Sequence, residues 1–442
     1  MHNILVKKNS RYLSSESNYT PVQLEFLRSI AALISGIGFF IIVFTLTPFQ
    51  GDFVSEGRNS SIINAFGYSI LGVIYLCALL TLVDRHVLFR SFPASWLLVF
   101  VIAFWSCFNA QEPEASMRSL VLTLCSMIVV AGILLLPRSE REFVIAGSNA
   151  ILCLMVINYA ALIIIPHLAT HTQVGLEGGH AGSWRGHISH KNFAAPVFSM
   201  LAIFGIYCWR VGVKIRGAAI FILAVIFVLN TNSKTTAGFF PLAVTIVFLS
   251  RLFGSPLLTV IVHLIFTTAI FCLTIGTVFS STLNNFTTSI LGDPTFTGRN
   301  SIWLFGLEYL PERFWSGYGY YGFWQSPLVI EAERNFEAAW DVRGIVSGHN
   351  TYLDALLMFG APCGILVIAV LVFKPLADYM RAYRRSENRA LADFFLMIVV
   401  FMTYDGMLET FLLNRSDAMW LLFALGSYGM TTLTHVNGRW KA

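Results

Sequence analysis

The chain has 442 residues, of which 56% are apolar and only 12% charged, against roughly 45–50% and about 25% in a soluble domain. A fold whose whole exterior faces water cannot hide that much apolar surface, so composition excludes a soluble enzyme and a soluble domain on a single anchor, and leaves a protein built largely within a bilayer. The formal net charge of +5 rests on few ionisable groups, so their positions along the chain carry the topology.

In chain order, Met1 to Gln23 is polar and shows no cleavable signal pattern, which leaves the first apolar helix as the insertion signal. Apolar runs able to cross ~30 Å of hydrocarbon then recur near residues 24–47, 62–83, 93–108, 118–136, 143–165, 192–211, 216–230, 236–253, 256–279, 352–373, 391–412 and 417–434. The expected fold is therefore all-α, with about twelve transmembrane helices in one integral membrane domain over 1–442. The runs at 93–108 and 216–230 are short. No internal repeat is visible, which argues against an inverted-repeat transporter. The seven cysteines lie inside apolar runs without any CxxC pair, and read as small buried hydrophobes.

The positive-inside rule orients the bundle. With both termini in the cytoplasm, the inner segments hold Lys7, Lys8, Arg11, Arg85, Arg90, Arg138, Arg141, Arg210, Lys214, Arg216, Arg251, Lys374, Arg381, Arg384, Arg385, Arg389, Arg439 and Lys441, well over half of the 29 basic residues. Two outer segments are longer than a turn, 166–191 and 280–348. The second, inserted between the ninth and tenth helices, carries Trp303, Trp315, Trp324 and Trp340 with many Gly and Tyr, a composition that predicts order.

Basic residues nevertheless occur on the outer side, among them Arg185, Lys191, Lys234, Arg299, Arg313 and Arg343. A guanidinium grips phosphate oxygens with a planar fork at any relevant pH. These groups therefore read either as an anion site or as lipid-headgroup contacts and loop ion pairs with Glu308, Glu331, Glu333 and Asp341. They fall in four motifs on one expected side of the membrane: WRGHISHKN at 184–192, NSKTT at 232–236, TGRNSIW at 297–303 and SGHNTYL at 347–353.

These stretches, with GYGYYGFW at 317–324 and HNTYLDALLMFGAPCG at 349–364, resemble the O-antigen ligase and Wzy-type polymerase superfamily, and particularly its exopolysaccharide polymerisation branch. Two departures are Met358, where an acid is common, and the extra residue in Pro362-Cys363-Gly364. The resemblance implies an inverting glycosyltransferase of a bacterial inner membrane. It takes glycan from a polyprenyl-diphosphate-linked oligosaccharide at the periplasmic face, needs no cofactor or metal, and passes the glycan to a glycan or lipid-linked acceptor. Membrane lipids, chain-length regulators and export proteins are the implied partners, and nucleic acid is not one.

On that reading His349 is the candidate general base, since an imidazole titrates near working pH. Asn350 orients the imidazole or a sugar hydroxyl. Asp354, about one helical turn on, holds the imidazole or is a satisfied polar group near the helix start. Arg185 and Arg299 are candidates for a pyrophosphate clamp or for structural ion pairs, with Lys191 and Lys234 beside them. His187 and His190 are second-line candidates, and their HxxH spacing alone is too little for a metal site. Tyr318, Tyr320 and Trp324 are candidates for stacking on sugar rings, or an interfacial aromatic belt. Gly360 and Gly364 read as a helix-packing GxxxG. Asp405 and Glu409 are the main charges within the eleventh span, either near a cavity or paired with Arg415. Alternative functions are ligation of glycan to lipid A-core, and transport of a lipid-linked or anionic solute.

Overall fold

The computed structural model describes residues 20–50, 62–172, 180–292, 294–333 and 340–435. The basic residues expected in the terminal tails, Lys7, Lys8, Arg11, Arg439 and Lys441, lie outside them. Among the described residues the fold is all-α; the one β pairing is an isolated bridge between Thr170 and Trp184.

Eight of the described helices are long and apolar enough to cross a membrane, or up to nine if the pair Arg85–Ser91 and Ala94–Cys107, bent by 61°, forms one span. The expected runs at 216–230, 391–412 and 417–434 do form helices, Lys214–Asn230, Arg389–Asp405 and Ala418–His435, but these are not among the eight. The run at 352–373 is not one helix. It is divided at Gly360, where φ is +76°, into Thr351–Phe359 and a span over Ala361–Ala382. A Cβ on Gly360 would lie 2.6 Å from the Trp315 carbonyl oxygen, and Ala361 N–H donates to Phe314 O. Gly360 therefore serves a loop contact and a helix break, which corrects the reading of it as half of a helix-packing pair.

Burial sorts the helices into centre and periphery. Every residue from 391 to 405 and from 418 to 433 is buried, and these two helices pack on each other and on Lys191–Arg210. The Ile62–Leu82 helix instead leaves Ile63, Phe66, Ile70 and Val73 exposed, and Pro256–Leu273 leaves Leu257, Ile261 and Ile265 exposed. Outward apolar surface of this kind is stable against lipid tails and costly in water.

The turns divide between two ends of the bundle. At one end, Phe49 N–H donates to His187 O, Trp184 N–H to Asn230 O, Asn232 Nδ2 to Ser183 Oγ and Ser116 Oγ to Tyr320 O. All four polar motifs collect there. The other end is tied by Tyr207 to Glu140 at 2.7 Å and by Arg210 to Asp393 at 2.7 Å.

Candidate functional site

The centre of the polar end is built by two segments 60 residues apart in sequence. Residues 348–354 and 406–411 are stitched side by side: Thr351 N–H donates to Gly406 O at 2.8 Å, Asn350 Nδ2 to Met407 O at 3.0 Å, Thr351 Oγ1 to Glu409 O at 2.9 Å and Thr410 Oγ1 to Asp354 Oδ2 at 2.7 Å. Each bond satisfies a backbone or carboxylate group at a helix end that would otherwise be buried unpaired.

Gly348 is held from both sides within this assembly. Its N–H donates to both Asp354 oxygens, at 3.1 and 3.0 Å, and its carbonyl accepts from Trp303 Nε1 at 3.0 Å. A Cβ here would meet Asp354 Oδ1 at 2.4 Å and the Trp324 ring at 3.2 Å, so only glycine fits. The next residue, His349, takes φ +47°, a conformation that few non-glycine residues adopt and that local bonding must hold.

Fixed in this way, His349 directs Nδ1 at Glu409 Oε2, 3.1 Å away. The other carboxylate oxygen, Oε1, accepts from Arg299 Nη2 at 2.6 Å, and Arg299 Nη1 donates to Leu408 O. Arg299 opens the Arg299–Tyr309 helix after Gly298 at φ 84°, and Trp303, one turn on, shares its face. The TGRNSIW motif thus contributes two contacts to one hub: the guanidinium reaches Glu409 and the indole reaches Gly348 O.

Burial alone pushes the Glu409 carboxyl up, but the Arg299 guanidinium and the His349 hydrogen bond outweigh it and hold the group at about 2. Glu409 is therefore an acceptor at neutral pH. His349 Nδ1 then carries the proton of that hydrogen bond. Nε2 has no hydrogen-bond partner among the described residues, and the side chain is 28% exposed.

Several expectations are corrected by this geometry. The group on the imidazole is Glu409, not Asp354, whose oxygens are taken by Gly348, Trp324 Nε1 at 2.7 Å and Thr410. Asn350 is fully buried; its Oδ1 caps the helix at Tyr352 and Leu353 N–H, so it faces neither imidazole nor solvent. Glu409 does not pair with Arg415, because the helix ends at Asp405 and a turn carries Glu409 back toward Arg299. Arg415 lies over the Tyr321 ring, 5.0 Å from its centroid.

Arg185 is likewise no surface clamp. It is fully buried, with Nη1 donating to Gln50 O at 2.5 Å and Ser189 O at 3.1 Å, and Nε to Thr170 O at 3.2 Å. His187 is equally internal, with Asn158 Oδ1 at 3.0 Å, Val43 O at 2.9 Å and burial pushing it down to about 4. Its two ring nitrogens are thereby occupied. Lys191 is buried, and its N–H donates to His171 Nε2. Lys234 opens the Lys234–Phe253 helix with its side chain exposed. Of the aromatic candidates, Tyr318 bonds Tyr309 O, and Tyr320 is fully buried between Thr123 Oγ1 and Leu413 O. Neither presents a free ring face. Trp324 does line a cavity.

That cavity, about 340 Å³, lies between the Arg185 and His349 regions. Ile188, Ser189 and Gln50 contribute to one wall, Ser347, Asp354 and Thr410 to another, with Trp324, Tyr321 and Arg415 completing it. Hydroxyls, amides and two aromatic rings make a lining suited to a polyol.

A bundle of apolar helices with a histidine–carboxylate–arginine centre at one end defines an integral membrane protein with a polar site at that end. Residues 219–372 match the family described as O-antigen ligase, so this part of the chain is similar to that family, and the match supports a membrane glycosyltransferase of ligase or polymerase type. The matched stretch contains Lys234, Arg299, His349 and Asp354, and stops short of Arg185, Lys191 and Glu409. No curated relative matches the chain.

Proposed function

We propose that the protein is an inverting glycosyltransferase that polymerises repeat units carried on a polyprenyl diphosphate, in exopolysaccharide or O-antigen synthesis, at the periplasmic face. The observation that carries this is the His349–Glu409–Arg299 relay, with Nε2 unpartnered among the described residues and the neighbouring Ser347, Asp354 and Thr410 lining a cavity suited to a polyol. The acceptor hydroxyl attacks the anomeric carbon, its proton passes to His349 Nε2, and the carbon–oxygen bond to the pyrophosphate breaks with the electron pair leaving on polyprenyl diphosphate. Glu409 holds the tautomer and stabilises the imidazolium that forms. Arg299 and the exposed Lys234 supply the positive charge that the departing diphosphate needs, and Trp324 offers a ring face to sugar. Asp354 and Asn350 act as positioning residues, and Arg185, Tyr318 and Tyr320 as struts. The orientation with both termini cytoplasmic follows from the basic residues at the opposite end. A count of about twelve spans follows if the three shorter or less apolar helices cross as well.

The test is reconstitution of the purified protein in lipid with a polyprenyl-diphosphate-linked repeat unit, without nucleotide or metal. A ladder of longer lipid-linked products is the expected result. Transfer only to an added lipid A-core acceptor would make the protein a ligase. No transfer to any acceptor, with the donor verified intact, would reject the glycosyltransferase reading in favour of a transporter.

A further inference from the structure

At the end of the bundle opposite His349, four helix ends converge: the C-terminal turns of Lys191–Arg210 and Lys234–Phe253, and the N-terminal turns of Lys214–Asn230 and Arg389–Asp405. They enclose an open cavity of about 420 Å³ lined by Trp209, Arg210, Lys214, Arg251, Ser386 and Arg389. Four of these carry positive charge and none is acidic. Arg210 is neutralised from beneath by Asp393 at 2.7 Å. Arg389 lies over the Tyr383 ring and donates to its carbonyl. Lys214 and Arg251 are exposed and make no salt bridge among the described residues, though the Arg251 charge also acts on Asp393.

Gathering four like charges around one space, against the single carboxylate of Asp393 beneath, leaves an excess of positive charge that raises the free energy of the protein alone unless a further anion occupies the space. The rim shows which kind. Trp209 at the cavity, Ile215 after Lys214, and Leu252 and Phe253 after Arg251 are all exposed. Large apolar side chains next to cations are the pattern of an interface, with the charged heads on phosphate and the rings and branches among acyl chains. A soluble phosphate would use the cations and leave these apolar groups in water.

We infer that this cavity is a binding site for an anionic phospholipid headgroup, best filled by a diphosphatidyl lipid whose two phosphates meet Lys214 and Arg251 on one side and Arg210 and Arg389 on the other. The site holds a structural lipid at the seam between the Lys191–Arg210 and Lys214–Asn230 hairpin and the central Arg389–Asp405 helix. It is independent of the chemistry at His349.

Native mass spectrometry of the full chain, released from bilayers of phosphatidylethanolamine with and without cardiolipin, tests this. Wild type retains cardiolipin. The double variant Lys214→Gln/Arg251→Gln removes two charges without breaking a hydrogen bond or salt bridge, and loses retention roughly tenfold or more. Its melting temperature in phosphatidylethanolamine alone matches wild type, which separates binding from folding. The variant Arg85→Gln/Arg384→Gln removes equal charge elsewhere at the same end of the bundle and retains the lipid. Equal loss in both variants would reduce the effect to general electrostatics and overturn the proposal. So would inorganic pyrophosphate binding as tightly as cardiolipin and displacing it completely, since the site would then be one for soluble phosphate.

Discussion

Arg185 and Arg299 sit at the same end of the bundle, each in a short polar motif near the start of a helix. Arg185 is fully enclosed and spends its guanidinium on carbonyls of residues 50, 170, 188 and 189. Those bonds tie the turn after the first helix to the segment before Lys191–Arg210. Arg299 is engaged by a carboxylate that also engages a histidine open to solvent. An arginine surrounded by carbonyls staples chain segments. One that shares an acid with an accessible imidazole sets charge at a place substrate can reach. The partner decides the role, and the motif alone does not.

The difference can be broken or sharpened by substitution. His349→Ala should lower product formation at least about 100-fold, the usual range for loss of a general base, with membrane-inserted protein unchanged. Near-normal polymer from that variant would remove the base from the relay. Arg299→Lys keeps the charge but cannot bridge Glu409 and Leu408 together, and should cost roughly 10- to 100-fold in kcat while the melting temperature moves little.

Arg185→Met should behave in the opposite way. Removing this buried guanidinium strands the backbone carbonyls it bonds, at roughly 1–3 kcal/mol for each acceptor left unsatisfied, seen as a lower melting temperature and yield. Turnover per folded molecule should stay within about threefold of wild type. If turnover collapses in well-folded Arg185→Met protein, the contrast with Arg299 fails.

Glu409→Gln tests the shared acid through pH. The folded carboxyl stands at about 2, below its ordinary 4.5, so its contribution is fully present above the ordinary value and is lost as pH falls toward about 2. The shift corresponds to ~3 kcal/mol. The stability gap between wild type and Glu409→Gln should therefore be widest near neutrality and close on acidification. Smallest of all, Tyr320→Phe removes one buried hydroxyl from its two bonds, and should cost about 1 kcal/mol with no change in turnover.

Much of this was legible in the sequence. Most of the apolar runs locate helices to within a few residues, those at 352–373 and 391–412 being the exceptions, and His349 and Arg299 stand out because their neighbours, Gly348, Asn350, Gly298 and Trp303, are residue types that shape backbone. Glu409 was harder to place. The run 406–413 stays apolar, so hydropathy extends the helix through it, whereas the chain turns after Asp405 and the acid swings toward residues far away in sequence. Asp354 misleads for a related reason. Helical spacing puts it near His349, but spacing does not show that Gly348 N–H, Trp324 and Thr410 occupy its oxygens. The burial of Arg185 depends on carbonyls from three separate stretches, and no local pattern encodes that.

Residues 348–354 and 406–411 are bonded to each other before any ligand arrives, and that has a consequence for how such a protein diversifies. His349 and Glu409 are fastened to the bundle, and residues 314–324 are fastened with them through Ala361 N–H to Phe314 O, Tyr320 to Leu413 and Trp324 to Asp354. On the function proposed above, chain outside those anchors is where change would least shift His349 against Glu409. On that reading, choice of glycan is free to drift outside the anchors while the fastened part stays fixed, much as a lathe accepts new jigs without moving its spindle.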